Sequence, residues 1–158
     1  MKRRVFFVIA TLIGVASLTS CGSGSDKLAL SGSAKNFTMD PKYTEFCTAY
    51  DNLNLALDDM SKTGSTKAAF AAVLAKSKNL VSVSPSDIQA AVASNDAILN
   101  ALNNAFAQHN YDEEKINSDE TLKKEIQALY QQKGLPELAT QYADYLVKNC
   151  GISTAGKK

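Results

Sequence analysis

Reactive chemistry needs nucleophiles, acids, bases or metal ligands at useful spacing, and this 158-residue chain holds few of them. His109 is its single histidine. A general base or a zinc ligand would need a companion, and no second histidine exists to supply one. At the end of a helical stretch its charge suits the negative C-terminal dipole, which is the simpler reading. Asp112-Glu113-Glu114 offers oxygens for calcium. Such a site takes six or more oxygens in spaced array around a glycine turn, and these three are consecutive. They read as a hydrated charge run, as does Asp58-Asp59. No serine sits in a nucleophile elbow, and Gly22 and Gly24 belong to a linker rather than to a phosphate loop. The sequence therefore assigns no catalytic residue, no cofactor site and no metal site. Tyr43, Tyr50, Tyr142 and Tyr145 fall at core spacing, with hydroxyls expected at the rim. What remains is three cysteines: Cys21, Cys47 and Cys150.

Cys21 follows a segment with the three parts of an export signal. Lys2, Arg3 and Arg4 form a cationic start, Val5 to Leu18 an apolar run, and Leu18-Thr19-Ser20-Cys21 the end. The run is shorter than the roughly 20 residues that span a bilayer, which argues against a retained transmembrane anchor. Leu18-Thr19-Ser20-Cys21 resembles a lipobox, the signal of bacterial lipoproteins. The resemblance implies that residues 1–20 are removed and that Cys21 becomes a lipidated first residue. Two or three acyl chains would then anchor the protein stably where one would not. The membrane is the cell membrane on its extracytoplasmic side, or the outer membrane in a cell with two. Gly22 is not the Asp that usually marks inner-membrane retention.

With Cys21 committed to lipid, Cys47 and Cys150 form the remaining pair in an oxidising compartment. A bridge would close a loop of about a hundred residues and stabilise the fold by up to ~4–5 kcal/mol in the chain-entropy model. The alternative, a redox or metal site, finds no support in two distant cysteines and one histidine. Without Lys2, Arg3 and Arg4 the 17 basic residues fall to 14 against 16 acidic ones, a formal charge of −2. That balance excludes a basic nucleic-acid surface.

The elements that must position these groups are helical. Residues 21–39, with Gly22-Ser23-Gly24-Ser25 and Ser31-Gly32-Ser33, form the lipid anchor and a linker. The domain spans 40–151, and 152–158 reads as a tail. Helix one starts at Asp40-Pro41, ends at Gly64, and buries Tyr43, Phe46, Cys47, Tyr50, Leu53, Leu57 and Met60. Helix two starts at Ser65 or Thr66 and buries Phe70, Val73 and Leu74. Ser84-Pro85-Ser86-Asp87 opens helix three, with Ile88, Val92, Ile98, Leu99, Leu102 and Phe106 inward. Residues 107–117 read as a loop. Asn117-Ser118-Asp119-Glu120 caps a short helix with Leu122, Ile126 and Leu129, ended by Gly134 and expected to lie across the bundle as a lid. Pro136 opens the last helix, with Leu135, Leu138, Tyr142, Tyr145 and Leu146 on one side, closed by Cys150-Gly151. No segment alternates long enough to make a strand. The fold class is all-α: an up-down-up-down four-helix bundle with one additional short helix, closed by a terminal disulfide. Asn54 and Asn95 fall at similar heights on the apolar stripes of helices one and three, so a hydrogen bond between them is expected to fix the register.

Phe46-Cys47-Thr48-Ala49-Tyr50, the Ser84-Pro85-Ser86-Asp87-Ile88 helix start and the terminal Tyr145-Leu146-Val147-Lys148-Asn149-Cys150-Gly151 resemble the small helical-bundle lipoproteins of actinobacteria over residues 40–151. That resemblance implies an extracytoplasmic bundle with a terminal disulfide and implies no activity. Three roles are compatible with the chain. The favoured one is a lipid-anchored binding or protein-interaction module, not an enzyme. The others are a carrier of a small apolar ligand between the helices, and an enzyme with no recognisable motif.

Overall fold

Pro41 cannot donate a backbone hydrogen bond, so it serves at a helix start, where that donor would be unpaired. Asp40 caps the turn by accepting the Lys42 N–H, and a 3-10 turn over Pro41–Tyr43 leads into α1, Thr44–Thr63. The structure is a computed structural model that describes residues 37–152. The proposed signal peptide, Cys21, the linker up to residue 36 and the tail from 153 lie outside the described residues. Five more helices follow: α2, Lys67–Ser82; α3, Gln89–Gln108; α4, Glu113–Ser118; α5, Glu120–Tyr130; and α6, Leu135–Cys150. No strand forms among the described residues, and none of their helices is long and apolar enough to cross a membrane.

Gly64 ends α1 at φ 102°. Thr66 then caps α2 by accepting the Ala69 N–H at 3.1 Å. α1 packs along α2, α2 along α3, and α6 closes against α3 and α1. Between them lies one core. Phe46, Tyr50, Phe70, Leu80, Ile88, Leu102 and Leu146 are its largest wholly buried side chains. Phe70 of α2 anchors the centre, 5.0 Å from the Phe106 ring and 5.8 Å from that of Tyr111.

Three local expectations from the sequence are corrected. Ser84 does not cap helix three. Its hydroxyl donates to the Leu80 carbonyl at 2.6 Å and its N–H to Val81, so it finishes α2. Pro85 disfavours helical geometry at the residue before it. A turn from Pro85 to Ile88 intervenes, and α3 begins at Gln89 with no side-chain cap. Residues 107–117 are not all loop: α3 runs to Gln108, and Asp112 caps α4 by accepting the Glu114 and Lys115 N–H groups. Glu113 and Glu114 in its first turn suit the positive N-terminal dipole, and Ile116 is buried. Gly134 does not end α5, which stops at Tyr130; it sits at φ 87° as the entry to α6. α5 lies against α3 and α4.

The expected Asn54–Asn95 hydrogen bond is absent; both residues are only half-buried. The polar tie between helices is made elsewhere, by Ser77 of α2 donating to the Asp96 carboxylate of α3 at 2.7 Å. Asn100 donates to the same carboxylate at 3.0 Å. Ser77 is 2% exposed, so this is a buried donor with its partner in place.

The chain ends meet at the disulfide. Cys47, near the start of α1, and Cys150, at the last residue of α6, are bridged with Cα atoms 5.5 Å apart and no exposure of either. Gly151 follows in the left-handed region at φ 66°, and the N–H groups of Gly151 and Ile152 both turn to the Leu146 carbonyl. A Cβ at Gly151 would overlap the Phe37 ring. Gly151→Ala is therefore expected to cost about 2 kcal/mol or more, from backbone strain and the clash together. Gly134→Ala, with open space around it, is expected to cost roughly 1 kcal/mol. Urea unfolding checks both, and Phe37→Ala should restore part of the Gly151→Ala loss. Equal costs at the two glycines would contradict the contact.

Candidate functional site

Two regions concentrate polar and aromatic groups. The first is the seam between α1 and α6 around the bridge. Tyr43 and Phe46 meet Tyr145 with ring centroids 5.9 and 5.5 Å apart, and Tyr50 meets Tyr142 at 6.0 Å. All three contacts are edge-to-face, the arrangement that aromatic quadrupoles favour. Tyr50 is 1% exposed and Tyr142 is 9% exposed. The seam thus carries two of the sequence's candidate tyrosines inside the core rather than at its rim. Burial pushes the Tyr50 hydroxyl up to about 12; the Asn54 amide one turn on offsets part of that rise, and the Asp51 charge adds to it. Burial and the neighbouring Tyr50 push Tyr142 up as well. The Tyr50 hydroxyl has no hydrogen bond of ordinary geometry. It is the one buried side-chain polar atom among the described residues left without a partner.

The second region is at the other end of α1. His109 stands at the C-terminus of α3, half-buried, with Nε2 3.3 Å from the Asp119 carboxylate. Asp119 caps α5, accepting the Thr121 and Leu122 N–H groups at 2.9 Å. The Leu122 N–H holds its carboxyl below the usual range, aided by Thr121 and by the charge of His109. His109 has a companion after all, supplied ten residues downstream because α4 forms in the stretch expected to be loop. Just after His109, Asn110 and Tyr111 take φ of 52° and 59°, two successive residues in the left-handed region. Asn tolerates that region; Tyr111 is held there by its ring on Phe70 and by its hydroxyl, which donates to Asn103 at 2.9 Å. Glu113 accepts the Ser65 N–H at 3.2 Å and so fastens α4 to the α1–α2 turn.

The members of the acidic run therefore do different things. Asp112 caps α4, and Glu113 satisfies a backbone donor across the structure. Asp58 pairs with Lys62 on the α1 surface. Among the described residues no three His, Cys, Asp or Glu side chains come together as a metal site would require. Cys47 and Cys150 are joined and buried; Cys21 lies outside the described residues. No family model matches this chain, and no curated protein or solved structure matches it either.

The buried tyrosine gives a signed expectation. Unfolded tyrosine ionises near pH 10, whereas folded Tyr50 keeps its proton to about 12. Between those values the unfolded chain binds fewer protons, so stability falls as pH rises. Tyr50's share is full below pH 10 and disappears through pH 12, an effect of about 2–3 kcal/mol. Tyr50→Phe should flatten the alkaline limb of a stability–pH curve. At neutral pH it should leave stability equal or higher, because the hydroxyl it removes is unpaired. Chemical denaturation from pH 7 to 12 reads both; a clear loss at pH 7 would show that the hydroxyl has a stabilising partner.

Proposed function

We propose that this protein is a lipid-anchored extracytoplasmic helical module that binds or displays rather than catalyses. The scaffold in this proposal is an up-down-up-down bundle of α1, α2, α3 and α6, with α4 and α5 accessory to it. Three-residue and six-residue connections from α1 to α2 and from α2 to α3 favour antiparallel neighbours. The observation that carries the reading is the Cys47–Cys150 bridge, wholly buried and spanning 103 residues. A structural bridge of that kind belongs to an oxidising compartment. That is where the signal at residues 2–18 and the lipobox-like Leu18-Thr19-Ser20-Cys21 would deliver the chain. The partner in this reading is the membrane through the lipid on Cys21, together with a protein met outside it.

One observation favours a second reading, the carrier of a small apolar ligand. The unpaired Tyr50 hydroxyl lies in an apolar seam between two helices, and a ligand bearing a single acceptor would complete it. Native mass spectrometry of protein released from its own membrane distinguishes the two. A retained small molecule, lost on Tyr50→Phe, supports the carrier; its absence leaves the module.

The anchor itself is tested by labelled palmitate. Wild-type protein should incorporate the label and be cleaved before Cys21. Cys21→Ala should lose all of the label and keep its leader. Incorporation into the Cys21→Ala protein would overturn the anchor, whatever the domain binds.

A further inference from the structure

Two contacts fix where the chain enters and leaves the folded body. The Phe37 ring lies over Gly151, in the space a Cβ there would need. Ile152, one residue on, is buried at 4%. Both ends of the described chain thus sit beside the Cys47–Cys150 bridge, at the start of α1. The α2–α3 loop is at this end too: Gln141 of α6 donates to the Asp87 carbonyl at 3.1 Å, and one turn further along α6 Tyr145 packs on Tyr43. The α1–α2 turn belongs to the opposite end. α1 has 20 residues, so its two ends are about 30 Å apart. At that far end Glu113 holds Ser65, and His109 pairs with Asp119.

We infer that the disulfide end of the domain faces the membrane and that the end built from the α1–α2 turn, the His109–Tyr111 turn and α4 is displayed away from it. The inference rests on the proposed lipid at Cys21. Fifteen residues, 22–36, separate that lipid from Phe37. A linker of that length and Gly/Ser-rich composition would span about 20 Å on average, less than the roughly 30 Å length of α1. A body held at one end by a tether shorter than itself keeps that end nearer the surface. The far end is then the part a partner approaching from outside meets first.

Energy transfer tests the orientation on the whole lipidated protein, purified from membranes and reconstituted into phosphatidylcholine vesicles. A donor dye is placed at Ser86→Cys, exposed on the near-end loop, or at Lys67→Cys, exposed at the start of α2. The acceptor is a head-group-labelled lipid. Transfer from position 86 is expected to exceed that from position 67 at least twofold. Equal or reversed transfer from protein that sediments with the vesicles overturns the orientation and leaves the anchor standing. Wild-type protein that does not sediment with vesicles overturns both.

Discussion

Helices that follow one another through short turns find each other at little entropic cost, and α1, α2 and α3 do so here. α6 is different. It is separated from α3 by α4, α5 and their turns, and from α1 by most of the domain. Its ring contacts and its disulfide to the first part of the chain fall at Tyr43, Phe46, Cys47 and Tyr50. The Cys47–Cys150 bond is the constraint that makes this distant contact permanent. By joining residues 103 apart it removes from the unfolded chain a large share of the freedom that the α1–α6 contact would otherwise have to overcome. The aromatic seam, the Gly151 turn and the Phe37 contact are all arranged around that bond.

Polar groups show where the fold is over-determined and where it is not. Ser77, buried at the α2–α3 contact, has Asp96, and the Ser65 N–H has Glu113. Tyr111 occupies an unfavourable backbone region, compensated by a ring contact and a hydrogen bond. The Tyr50 hydroxyl, by contrast, is buried without a hydrogen bond of ordinary geometry. A site that forfeits a hydrogen bond is either pure packing or a place where something else binds.

Much of this is legible in the sequence because it follows from spacing and from counting. Apolar residues at three- and four-residue intervals mark every long helix, since one face of each must be buried. With Cys21 set aside as the proposed lipid anchor, two cysteines remain and only one pairing is open. What is not legible turns on which of two neighbouring demands a residue serves. Ser84 has the chemistry of a cap and caps, but for the helix before it. Asp112-Glu113-Glu114 looks like a solvated run because an N-cap and a first-turn acid have the same composition as one. Asn54 and Asn95 match in height along their own helices, yet α1 packs along α2 rather than along α3, and Ser77, absent from the expected stripe, makes the buried tie. His109's partner and the Phe37–Gly151 contact depend on turns whose direction no periodicity encodes.

A bridge that holds α1 to α6 must be formed in the protein as it exists. Intact mass after alkylation tests this most directly. The protein is taken from the cells that make it, unfolded without reductant so that the buried sulfurs are reachable, alkylated and weighed. No adduct is expected on Cys47 or Cys150 until a reductant is added, and then one on each. Adducts on both cysteines without reduction would contradict a bridged fold.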